Sequence, residues 1–171
     1  MHPNGNIESW ATPDKIVSRR QSWDEYFLSI AKLVASRSTC IRAQHGAVVV
    51  LDKTILSTGY NGAPRGLSHC SEKGRCYREE QGIAPGTQYE RCKSVHAEQN
   101  AIAQAARMGA RLQGATIYVT DLPCGICAKL LVNAGIQKVI FLKTGRYLMR
   151  SSAEVFTEAN IPFEEVELEE N

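Results

Sequence analysis

The chain has no run of about 18 uninterrupted apolar residues, so it offers no segment for a membrane-spanning helix. Its N-terminus, with His2, Pro3, Asn4, Gly5, Asn6 and Glu8, lacks the apolar centre of a secretory signal, and a cytoplasmic location is expected. An excess of one charge is missing too. Lys and Arg number 20 against 18 Asp and Glu, a net of +2, and the basic residues are dispersed along the chain. That balance gives no basic stripe for nucleic acid and no face for a membrane surface, and it favours a small-molecule partner. No internal repeat or low-complexity segment occurs, which excludes a solenoid or an array.

What is present suits one compact domain. The 171 residues are 43% hydrophobic, enough to bury a substantial core. Residues 1–20, with Lys15 and the Arg19-Arg20 pair, are expected to form a flexible arm, and residues 21–171 a single domain. Within it, residues 62–93 carry Gly62, Gly66, Gly74, Gly82, Gly86, Pro64 and Pro85 but few regularly spaced apolar residues, and read as an insertion. The Glu-rich end, Glu164 to Glu170, reads as a solvated edge strand and tail.

Periodicity predicts alternating elements. A first helix opens on the capping box Ser22 and Glu25, with the apolar stripe Phe27, Ile30, Ala31 and Val34 turned to a sheet. Strands 46–51 and 54–58 make a hairpin around Asp52-Lys53, and a helix that ends at Gly109 follows the insertion. Then come strand 115–120, a helix from Pro123 to near Gly135, strand 138–142, a helix around 153–159 and a last strand around 163–168. Such alternation implies an α/β fold with crossovers that place helices on both faces of the sheet.

Two short motifs carry chemistry: His96-Ala97-Glu98 and Pro123-Cys124-Gly125-Ile126-Cys127. His96, Cys124 and Cys127 supply three ligands of the kind zinc takes, and three ligands leave the open position of a catalytic site. A neutral imidazole and two thiolates would still let the metal bring a water's pKa down to about 7. Cys124 and Cys127, three apart at a helix start, turn both sulfurs to one side, where the helix dipole favours thiolates. Glu98 is assigned to proton transfer and not to the metal. Alone, Cys-x-x-Cys also fits a redox pair, half a zinc ribbon or two buried apolar residues. Jointly, the motifs match the H-x-E…P-C-x-x-C arrangement of zinc deaminases that attack C4 of cytosine or C6 of adenine.

Four further cysteines, Cys40, Cys70, Cys76 and Cys92, precede His96, and four thiolates complete a closed structural zinc site that would organise the insertion. His69 is the substitute ligand. Disulfides are the rival reading, disfavoured where thiols stay reduced.

With Thr58-Gly59-Tyr60-Asn61-Gly62, His96 to Ile102 and Pro123 to Lys129 in order, the chain resembles the deoxycytidylate (dCMP) deaminase family from about Trp23 to about Phe163. The resemblance implies a cytidine-deaminase-like three-layer α/β/α sandwich around a mixed sheet of about five strands. It also implies conversion of dCMP to dUMP and ammonia, feeding thymidylate synthesis. Asn61 and Ala97 would contact the nucleotide, Arg42 its phosphate, and Tyr147 would stack near the pyrimidine. Bare turn chemistry reads Asn61-Gly62 as an ordinary turn, and Arg42 and Arg107 also read as solvated cations. Some members carry a second zinc at the places of Cys40, Cys70, Cys76 and Cys92. Members are commonly hexamers activated by dCTP and inhibited by dTTP, Mg2+ entering only with a triphosphate; Gly59, Tyr60, Gly62 and Arg107 lie near the regions involved. Two other classes use the same motifs: a deaminase of tRNA adenosine or another base, disfavoured by the low charge, and a non-catalytic zinc module, disfavoured by Glu98.

Overall fold

In the computed structural model the described residues are 20–84, 87–143 and 150–168. The expected arm therefore lies outside them except for Arg20, as do Tyr147 and the last three residues of the tail. Among the described residues no helix is long and apolar enough to cross a membrane.

Five strands form one sheet in the order β2-β1-β3-β4-β5. β1 (Gly46–Leu51) pairs antiparallel with both β2 (Thr54–Tyr60) and β3 (Thr116–Val119), whereas β4 (Lys138–Leu142) and β5 (Phe163–Val166) continue parallel to β3. The hairpin turns where expected: Asp52 and Lys53 both hold the left-handed conformation, at φ of 48° and 63°, which suits the right-handed twist of the strands. β2 runs two residues beyond its expected end and delivers Asn61 directly to the site.

Alternation along β1 divides the core in two. Val48 and Val50 join Tyr118 and Ile140 under Phe27, Leu28 and Ala31 of α1 (Trp23–Ala35). Ala47 and Val49 face the other way, with Ile117, Val119, Val139 and Phe141, toward α4 (Ala97–Met108), α5 (Gly125–Asn133) and α6 (Arg150–Glu158). The result is a three-layer sandwich with a mixed sheet. The Ser22–Glu25 capping box forms in both directions, and Gly109 closes α4 in the left-handed conformation.

α4 sits unusually close to β2. Its buried stripe is Ala97, Ala101 and Ala105, and a Cβ at Gly59 would fall 2.1 Å from the Ala97 carbonyl oxygen and 2.4 Å from the Ala101 nitrogen. Gly59 is thus required by close packing of backbone on backbone. Among the described residues between β2 and α4 the insertion has two single-turn helices, α2 (Cys70–Lys73) and α3 (Tyr77–Glu80), and a 3₁₀ turn at Tyr89–Arg91. A backbone bridge between Gly62 and Val95 closes its base.

Candidate active site

The start of α4 and the start of α5 meet at one end of the sheet. His96 is the N-cap of α4, Glu98 lies in its first turn, Cys124 is the N-cap of α5 and Cys127 its third residue. His96 Nδ1 stands 3.5 Å from each of the Cys124 and Cys127 sulfurs, and all three donor atoms lie within 4.8 Å of one another. With Zn–N and Zn–S bonds of about 2.1 and 2.3 Å, a tetrahedron has N···S edges of about 3.6 Å, so this set fits zinc.

Electrostatics agree. A hydrogen bond from Cys127 holds the Cys124 thiol down at about 4, aided by His96, while the Cys127 thiol is pushed up by that same bond and by burial. A divalent cation would compete for the proton of the Cys124–Cys127 hydrogen bond. The hydrogen bond to Cys124 raises His96 against the opposing effect of burial. Glu98 is 8% exposed, and burial raises its carboxyl above the ordinary value, the direction that lets a carboxyl act as an acid near neutral pH.

His96, Glu98 and Cys124 line a cavity of about 440 Å³ that also takes in Asn61, Arg42 and Ala97. Asn61, expected by resemblance as a nucleotide contact and on turn chemistry as part of an ordinary turn, is buried and already engaged. Its Oδ1 accepts from the His45 N–H at 2.8 Å, its Nδ2 donates to the Ala43 carbonyl at 2.9 Å, and its own carbonyl accepts from Ser38 Oγ at 2.8 Å. One amide hydrogen and one lone pair remain for a ligand. Arg42 lies 3.4 Å from Glu79 through Nε. The backbone of Tyr60 accepts from Asn100 Nδ2, and Arg107 is exposed in the last turn of α4.

Cys40, Cys70, Cys76 and Cys92 line the same cavity as free thiols. Burial raises Cys70, and the other three sulfurs add to the effect. No three of the four bring their sulfurs within 4.8 Å of one another; they are gathered without being closed. His69 Nδ1 is 2.9 Å from Thr39 Oγ1. Sequence reasoning missed Tyr89, whose ring meets the His96 imidazole edge-on at 5.6 Å, and Arg78, 7% exposed in the cavity wall. Neither sits in a periodic segment, so no local signal marked them.

An α/β/α sandwich with a three-donor metal cage and a buried carboxyl at two helix starts defines a metal-dependent hydrolase of the deaminase class. Comparison with known proteins agrees. The model of the cytidine and deoxycytidylate deaminase zinc-binding region matches residues 21–143. The deoxycytidylate deaminase of Mycobacterium phage D29 is 46% identical over 129 residues, covering 72% of this chain and 97% of that protein. ComE operon protein 2 of Bacillus subtilis is 39% identical over 154 residues, 88% of this chain and 75% of that protein. The crystal structure of dCMP deaminase from the cyanophage S-TIM5, in complex with dCMP and dUMP, superposes with a TM-score of 0.69 at 28% identity, over 83% of this chain and 95% of that one. The chain belongs to the cytidine and deoxycytidylate deaminase family.

Proposed function

We propose that the chain hydrolyses dCMP to dUMP and ammonia, supplying dUMP for thymidylate synthesis. The observation that carries this reading is the cage of His96 Nδ1 and two sulfurs at 3.5 Å, with buried Glu98 beside it in a cavity of ligand size. The deoxycytidylate deaminase similarity and the nucleotide-bound cyanophage relative support the choice of substrate.

His96, Cys124 and Cys127 would hold zinc, which would supply the Lewis acidity that brings a water's pKa to about 7. Glu98 does the proton work: it takes one proton from the attacking water and passes it to ring N3, then takes the second from the C4 hydroxyl and gives it to the departing amine as the C4–N bond breaks and the C4–O bond becomes a carbonyl. Its burial, which raises the carboxyl, lets one group both accept and donate. Asn61 offers its remaining donor and acceptor to the sugar, Ala97 its backbone at the cavity floor, and Arg42 a guanidinium to the phosphate. Tyr147, the expected pyrimidine contact, lies outside the described residues.

A second zinc on Cys40, Cys70, Cys76 and Cys92 would draw the gathered thiols together and fix the insertion. The domain covers residues 21–171, with residues 1–20 as an arm. The working form is a cytoplasmic hexamer, activated by dCTP and inhibited by dTTP with Mg2+, through the region of Gly59, Tyr60, Gly62 and Arg107.

The test is ammonia release from dCMP, CMP, deoxycytidine and dCTP. Reaction with dCMP above the others is expected. Reaction of the unphosphorylated compound alone would defeat both the substrate assignment and the role of Arg42.

A further inference from the structure

Arg78 presents an electrostatic problem. It is 7% exposed, yet among the described residues no carboxylate lies within 4.0 Å of it. Its Nη2 donates to the carbonyl oxygens of Ala84 and Thr87, and its plane lies over the Tyr89 ring, 5.1 Å from the centroid. Nε is shut off from solvent with no acceptor. A buried charge without a counter-charge is strongly unfavourable, and an unmade hydrogen bond adds to the penalty.

Its surroundings say what would relieve it. Arg78 lines the cavity that holds His96, Glu98 and Asp121, and two further cations, Arg42 and Lys93, line it as well. Arg42 has Glu79 at 3.4 Å, and Lys93 lies 4.8 Å over the Tyr77 ring; Arg78 alone is both buried and without an opposing carboxylate among the described residues. Two carbonyls and an aromatic face hold the guanidinium in place, so it is preorganised and need not be recruited from solvent. An anion entering this cavity finds a cation whose desolvation has already occurred.

We propose that Arg78 is a specificity-determining residue that receives the phosphate of a nucleoside monophosphate and selects it over the nucleoside, while the exposed Arg42 closes over the same group. This rests on the reading that the substrate is dCMP. The bland account is that Arg78 only ties Ala84 to Thr87 through its bonds to their carbonyls.

The experiment compares kcat/KM for dCMP and deoxycytidine in wild type, Arg78→Gln and Arg78→Lys, with zinc content measured on each. Calorimetric titration with deoxyribose 5-phosphate adds a measure that needs no turnover. Loss of a charged hydrogen bond predicts that the dCMP-to-deoxycytidine ratio falls about 10- to 100-fold in Arg78→Gln, together with sugar-phosphate affinity. Arg78→Lys, which keeps the charge but lacks Nε, falls in between and serves if the Gln variant does not fold. A clamp lowers both substrates in proportion and leaves the ratio unchanged, which would overturn the proposal. A wild type that reacts only with deoxycytidine would overturn the substrate reading instead; a wild-type preference for dCMP that survives both substitutions would overturn Arg78 alone.

Discussion

Two groups of cysteines, Cys124 with Cys127 and the four that line the cavity beside Cys124, differ in how the chain holds them. Cys124 and Cys127 sit on the first turn of α5, whose Ala128 and Leu131 are fully buried, and His96 caps a helix packed onto β2. Their donor atoms are already at coordinating separations. Cys70, Cys76 and Cys92 hang on an insertion whose helices are single turns, with Cys40 on the loop ahead of β1, and no three of these sulfurs converge. Ligands fixed by a hydrophobic core are preorganised; ligands on a segment with little core depend on what they bind.

The largest effect that sharpens this contrast is on chemistry. Glu98→Gln should retain zinc while kcat drops about 10²–10⁴-fold, measured by ammonia release beside metal analysis; unchanged activity would remove Glu98 from the mechanism. Chelation should then separate the regions. Amide exchange in 70–93 is expected to accelerate about tenfold or more, while 97–108 and 125–133 stay protected, and Cys70→Ser or Cys76→Ser should reproduce the effect. Equal loosening of both regions would break the comparison.

Gly59→Ala should lower unfolding stability by about 1–3 kcal/mol, read by urea denaturation, because its Cβ would sit 2.1 Å from the Ala97 carbonyl oxygen. The smallest effect concerns pH in the metal-free protein. Burial raises Glu98 above its ordinary 4.5, so the folded state keeps a proton that the unfolded chain releases. Stability from this group is present below pH 4.5 and is lost as pH rises through the raised value. Glu98→Gln should therefore match wild type in acid and exceed it at neutral pH, as urea midpoints would record.

Much of this was legible because it is local. Asp52-Lys53 between two apolar runs fixed the hairpin, Ser22 and Glu25 the start of α1, and the two metal motifs the cage, since each depends on spacing within a few residues. What escaped depends on contacts across the chain. Gly59 looked like part of a family motif, yet its packing against α4 involves a helix some forty residues on. The Asn61 amide reads as a free ligand contact until the 38–45 loop folds over it. Arg78 is one cation among 20, and only tertiary structure buries it.

Gly46 and Gly59 occupy neighbouring positions at the open end of the hairpin and look to opposite faces. A Cβ on Gly46 would strike the Ala31 oxygen of α1 at 2.1 Å, as one on Gly59 would strike α4. The protein therefore has a waist there, one bare peptide thick, beside the mouth of the cavity. A methyl group at Gly46 would press on α1, whereas one at Gly59 would press on the first turns of α4, the helix that His96 caps.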